Sequence, residues 1–231
     1  MIVEEIDIEV EYKSIKNIHL AVYPPDARVH VSAPQYLGDE DIRLFIISKL
    51  DWIRDKQEAV RKQERQTPRE YVSGENHYFL GKRYILRVSE NNAKPEVNIH
   101  GDYIDMTVRP GSTMEKREEI LREWYRERLS EVLSELIKKW SEKMNAPEVT
   151  WKIKIMKDCW GSCNTTRRSI LFNLELARVP RTCIEYVVVH ELVHLWHRLH
   201  NKVFIATLEK YLPQWSVLRD DLNNFVASYL K

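Results

Sequence analysis

The pentad His190-Glu191-Leu192-Val193-His194 lies inside an apolar run, residues 184–196, that contains neither Gly nor Pro. No other feature restricts the fold of this chain as strongly. The run reads as a buried helix from about residue 183 to 196. On a helix, positions i and i+4 are about 40° apart, so both imidazoles leave one face, one turn apart. Two imidazoles and a carboxylate are costly to bury without partners. A metal ion is a partner that fits, because two ring nitrogens at this spacing reach one tetrahedral Zn2+ at about 2.0–2.1 Å. Glu191 cannot share the face as a further ligand. It can hydrogen-bond a water held by the ion and act as general base for attack on a carbonyl. The pattern is H-E-x-x-H.

Zinc hydrolases use a third protein ligand and keep the fourth position for water. His197 falls near the face of His190, but seven residues separate them, about 10 Å along the axis. His200 faces the wrong way on a continuing helix and coordinates only if the chain turns after about His197. The spacing H-E-x-x-H-x5-H suits such a bend. Metzincins ease it with a Gly, and residues 195–199 contain none, which excludes a strict metzincin signature. His200 is therefore the favoured third ligand, with His197 in support beside it. Glu209 is a weaker choice, because its separation from His194 is short for a glutamate ligand.

Elsewhere the pattern is mixed. Ile6, Ile8, Val10 and Tyr12 alternate with polar residues, and residues 19–23 and 28–32 do the same, predicting antiparallel strands joined in part by a Pro24-Pro25-Asp26 turn. Apolar residues from Ile42 to Ile53 recur at helical spacing, predicting one helix over about 42–65 whose end, 54–69, is charged and solvated. Strands follow at 78–80, 84–88, 96–100 and 103–108. Pro110-Gly111 marks a soft boundary, giving a strand-rich region 1–110 and a second domain 111–231. In that domain a long amphipathic helix spans 114–144. Strands at 151–155 and 169–174 come next, then the His-bearing helix and a terminal helix from about 204. His19, His30, His77 and His100 are isolated and read as structural or surface residues.

With 36 Lys+Arg against 35 Asp+Glu, the 231-residue chain is not a generally basic binder. Three cysteines are too few for a disulfide framework, the first residues do not resemble a signal peptide, and no apolar run reaches bilayer length. A cytoplasmic protein without a membrane partner is expected. The charge is uneven, however. Residues 138–181 hold 10 basic and 4 acidic side chains, and Lys152, Lys154, Lys157, Arg167 and Arg168 define a basic face that a nucleic acid or acidic substrate could use, or that is simply solvated.

Cys159-Trp160-Gly161-Ser162-Cys163, Ile170-Leu171-Phe172-Asn173-Leu174 and Tyr186-Val187-Val188-Val189-His190-Glu191-Leu192-Val193-His194 occur in that order, with His200, Phe204 and Leu212-Pro213-Gln214-Trp215 beyond. Over about residues 152–223 this arrangement resembles the YgjP-like/SprT-like zinc metallopeptidases. The resemblance implies an α+β, zincin-like metallopeptidase domain behind the strand-rich N-terminal region. It also implies one Zn2+ held by His190, His194 and His200, Glu191 as base, and a polypeptide substrate. Leu199 and Asn201 stand where the family usually has Asn and Ser around the third His, and Ile205 where Trp commonly follows the Phe. Trp160, Ser162 and Asn173 are candidates for contacts beside the metal or substrate, although Trp160 under the helix and Gly161 in a tight turn also suit plain packing. Cys159 and Cys163 lack a second Cys/His pair to complete a metal site, and Cys183 reads as core. An extended peptide is expected to pair along the edge near residues 170–174. A metal-dependent hydrolase of a non-peptide amide, or a DNA-associated module of the SprT-like kind, are the competing readings.

Overall fold

The alternation of apolar residues near the N-terminus builds a four-stranded sheet. Its strands are β1 (Ile2–Val3), β2 (Ile6–Lys13), β3 (His19–Tyr23) and β4 (Arg28–Pro34), in the order β1-β2-β4-β3. One face buries Ile8, Val29, Val31 and Ala33 against Ile42, Ile46 and Ile53. β3 and β4 are antiparallel as expected, but β2 and β4 run parallel, with Ile8 opposite Val29. Alternation decides which face a residue occupies and leaves the direction of its neighbour open. The expected single helix is two, α1 (Asp39–Ile47) and α2 (Leu50–Lys62). At the break the Ser48 hydroxyl donates to the Phe45 carbonyl at 2.7 Å, a local bond that competes with the helical ladder.

The computed structural model describes residues 1–23, 27–62, 69–157 and 159–229. The Pro24-Pro25-Asp26 turn and residues 63–68 of the charged stretch lie outside the described residues. Contacts divide the chain into two compact units, residues 1–66 and 67–230. The boundary is thus at 66/67 rather than at 110. A second sheet, β5 (Asn76–Phe79), β6 (Lys82–Glu90), β7 (Glu96–His100) and β8 (Tyr103–Val108), explains why. Its Leu86, Ile104, Met106 and Val108 belong to the same apolar core as the C-terminal helices. The Leu80 and Gly81 amides also donate to the Ala177 and Arg178 carbonyls at 2.9 and 3.0 Å. The order β5-β6-β8-β7, with β6 and β8 parallel, repeats that of the first sheet without any sequence repeat.

α3 (Met114–Met144) has the predicted bounds. Thr113 caps its start, and Asn145 at φ 50° ends it in a left-handed turn. Apolar residues including Leu121, Leu129, Leu133 and Leu136 are buried along its length. A three-stranded sheet follows, with β9 (Thr150–Lys154), β10 (Gly161–Asn164) and β11 (Ser169–Asn173) in the order β10-β11-β9. After a 3-10 turn (Leu174–Arg178) come α4 (Arg181–Val193), α5 (Lys202–Tyr211) and α6 (Trp215–Tyr229). The C-terminal segment is two helices rather than one, with Pro213 between them. Lys139 Nζ and Trp140 Nε1 of α3 both donate to Glu185 of α4, at 2.6 and 2.8 Å. These bonds fix the helix that carries the pentad. Among the described residues, no helix is long and apolar enough to cross a membrane. The unit from residue 67 on is a mixed α+β fold.

Candidate metal centre and cleft

Nine of the 13 residues of α4 are buried, Glu191 included at 5% exposure. His190 and Glu191 lie in its last turn, and His194 closes it. Beyond His194 the helix tightens, the amides of Leu195 and Trp196 donating to the Leu192 and Val193 carbonyls at 3.0 and 3.1 Å. This turn starts earlier than the spacing required, and it returns His200 to the helix face, its Nε2 lying 3.0 Å from His190 Nε2. One donor atom each from His190, His194 and His200 fall within 4.8 Å of one another. Phe204, fully buried on α5, packs on all three rings with centroids 5.0, 4.7 and 4.7 Å away.

His194 Nδ1–H donates to the His197 carbonyl at 3.0 Å, which leaves Nε2 with its lone pair. His197 therefore acts through its backbone. Its own ring meets the Thr207 hydroxyl at 3.2 Å and stays out of the triad. Glu209, exposed on α5, is also outside it. Burial first, then the His194 and His200 charges, push His190 down to about 3. Burial is also the main cause that lowers His194. Both imidazoles are neutral at pH 7 and can offer lone pairs. Burial pushes the Glu191 carboxyl up to about 8. Among the described residues, four buried side-chain nitrogen or oxygen atoms lack a hydrogen-bond partner. Two of them are His190 Nδ1 and Glu191 Oε2. Three convergent imidazole donors beside an unsatisfied carboxyl oxygen fit a borderline-soft divalent cation of the zinc type.

The triad opens into a cleft of about 510 Å3 whose facing wall is residues 159–163 and whose floor includes Tyr186 and Val187. It is smaller than a cleft of about 730 Å3 between β7 and α3, whose lining has no histidine. Trp160 and Ser162 line the cleft of the triad, Trp160 half-buried against the core and Ser162 exposed. Asn173 does not line it. Its side chain donates to the Met156 and Cys159 carbonyls at 2.9 Å each, pinning the loop that leads into the wall. The residues expected to form a turn around Ser162 are strand β10. A Cβ on Gly161 would stand 2.5 Å from Glu191 Oε1 and 2.7 Å from its Cγ, so the wall approaches the carboxylate only because that residue is glycine. Tyr186 packs its ring 5.8 Å from that of His190. Cys159 and Cys163 are free thiols, and burial followed by the Glu191 charge pushes Cys163 up to about 11.

β11 lies between β10 and β9 and has no open edge, so a peptide cannot pair along residues 170–174. The unpaired edge beside the triad is that of β10. Sequence reasoning also overlooked Thr165 and Arg198, which complete the cleft lining. Lys152, Lys154, Lys157, Arg167 and Arg168 are exposed on β9, just beyond it, and in the β10–β11 turn.

No curated protein matches the chain. Among solved structures, the crystal structure of the metallopeptidase zymogen of Pyrococcus abyssi abylysin is similar, with a TM-score of 0.38 and 16% identity over 43% of this chain and 96% of that one. The family described as YgjP-like, metallopeptidase domain matches residues 16–225, which takes in both units and every member of the triad. The chain belongs to the YgjP-like metallopeptidase family.

Proposed function

We propose that this protein is a zinc-dependent peptidase. His190, His194 and His200 hold one Zn2+, and Glu191 moves the proton of the attacking water. The observation that carries the reading is the convergence of three imidazole donors within 4.8 Å beside a buried carboxylate oxygen without a partner. The ion, when bound, supplies a Lewis acid for the scissile carbonyl and the positive charge that returns Glu191 to its ionised form.

The chain does the rest. The open edge of β10 offers alternating N–H and C=O groups to an extended segment, which favours a polypeptide over a small amide. Glu191 accepts a proton from water as the water oxygen bonds to the carbonyl carbon. It delivers that proton to the amide nitrogen as the C–N bond breaks. Phe204 against the rings and the His197 carbonyl on His194 Nδ1 keep the imidazoles oriented.

Glu191→Gln tests the mechanism. The variant is expected to bind one zinc per chain by elemental analysis and to lose cleavage of an unfolded protein substrate. Cleavage retained in that variant would sink the assignment of Glu191. A substrate panel of peptides and small amides, run on zinc-loaded protein, separates peptidase from amidase.

A further inference from the structure

The arginines that line clefts of the second unit differ in whether a carboxylate closes them. Arg122 and Arg178, which line a cleft between α3 and the 3-10 turn, pair with Glu118 and Glu175 at 2.5 and 2.7 Å. Arg128, at the cleft beside β7, pairs with Glu131 at 3.0 Å. Arg198 lines the cleft of the triad and, among the described residues, has no hydrogen-bond or ion-pair partner. Among the described residues of that lining, the only carboxylate is Glu191. Arg198 sits on a turn held from both sides. His197 before it is bonded to His194 and Thr207, and the Asn201 amide donates to the Leu199 carbonyl at 2.8 Å. This exposed guanidinium, on a fixed backbone and without a bonded carboxylate among the described residues, has its donors ready for an arriving anion. Its planar fork matches a carboxylate with two parallel bonds. Lys152, Lys154, Arg167 and Arg168 are exposed on β9 and the β10–β11 turn, outside the cleft lining.

We infer that the cleft takes polypeptide segments carrying a carboxylate close to the cleaved bond, and that Arg198 is the residue that reads it. The inference builds on the peptidase reading above and names its substrate class. The carboxylate is either an Asp or Glu side chain or the C-terminus of the substrate chain.

The test uses the zinc-loaded full chain and otherwise neutral ten-residue peptides in which Glu, Gln or Lys occupies each position in turn, each made with a free and an amidated C-terminus. Binding is read by fluorescence anisotropy with the Glu191→Gln enzyme, and cleavage as kcat/KM with the wild type. A Glu-over-Gln preference of about tenfold at one position assigns a side-chain carboxylate. The same preference for acid over amide at the C-terminus assigns a terminal one. Arg198→Glu should reverse the preference toward Lys-bearing peptides, and Arg198→Gln should level it. Equal binding of charged and neutral peptides, or a preference that survives Arg198→Glu, overturns the inference. If no peptide is cleaved but the Arg198-dependent preference persists in binding, the substrate class stands and the proposed chemistry fails.

Discussion

Two histidine clusters in the second unit differ in how their polar atoms are satisfied. His77 on β5 is completely buried. Its Nδ1 accepts from Arg69 at 3.3 Å and its Nε2–H donates to Glu75 at 3.2 Å, while Glu75 also accepts from the Glu70 amide at 2.8 Å. Every ring nitrogen has a partner, so nothing is left for a ligand. The triad is built the other way. His190 and His200 turn Nε2 toward each other, His190 Nδ1 and Glu191 Oε2 have no partner, and the cluster opens into a cleft. Buried polar groups are normally satisfied, because an unmet donor or acceptor costs about 1–3 kcal/mol. Where a fold satisfies its histidine it gains stability, and where it leaves several convergent donors unmet it keeps them for a ligand.

Exchanging the two clusters in mutants should give opposite outcomes. His190→Ala is expected to remove stoichiometric zinc and all detectable cleavage, while the metal-free fold stays within about 1 kcal/mol of wild type, because an orphaned atom leaves with the ring. His77→Ala should keep zinc stoichiometry and activity per folded molecule, yet lose about 3 kcal/mol of stability by stranding Glu75 and Arg69. Chemical denaturation with metal analysis on both variants checks this. A His77 variant that lost zinc would erase the distinction.

The pH dependence sharpens the contrast. Burial, aided by the Arg69 charge, outweighs the Glu75 hydrogen bond and pushes His77 down to about 4 from its ordinary 6.5. Between those values the unfolded chain binds the proton that the folded protein refuses. Its contribution is therefore full above pH 6.5 and is lost progressively as pH falls toward 4, by an amount on the order of 3 kcal/mol. Unfolding free energies across that window should show a shallower slope in His77→Gln than in wild type. Identical slopes would mean that His77 is protonated when folded.

Much of this was legible in the chain, for reasons that differ by residue. The helix at 114–144 was clear because its apolar periodicity runs along the whole segment. His190 and His194 were readable as a pair because helical spacing alone fixes their common face. His200 was readable only on condition of a turn, since the bend depends on the tightened backbone at Leu195 and Trp196 rather than on a glycine. Strand direction was not readable at β2/β4 and β6/β8. β10 was hidden because Gly-Ser-Cys-Asn has turn composition, although β11 pairs with it along its whole length. That Arg198 has no partner among the described residues is a fact about what does not surround it, which no local pattern encodes.

Gly161 tests the close fit of wall and carboxylate, which the His77 cluster lacks. Gly161→Ala should push Glu191 aside and lower kcat by about 10²-fold, the scale of a 1 Å misplacement, with zinc stoichiometry kept. Unchanged kcat would show that Glu191 has room to spare.

The smallest effect concerns how each cluster is held. His77 lies within a strand, but His200 lies in a loop and owes its place to the start of α5. There Asn201 Oδ1 accepts from the Val203 and Phe204 amides at 3.1 and 3.0 Å, so the residue after His200 is the N-cap of the helix that brings Phe204 against the triad. The family usually has Ser at this position, and Ser makes the same cap, so the departure noted in the sequence preserves the function of the residue. Asn201→Ala should cost about 1 kcal/mol of stability, with weaker zinc binding through a less ordered His200. Asn201→Ser should restore both. If Ala left zinc affinity intact, Phe204 packing alone would fix His200, and the cap would matter only to the helix it begins.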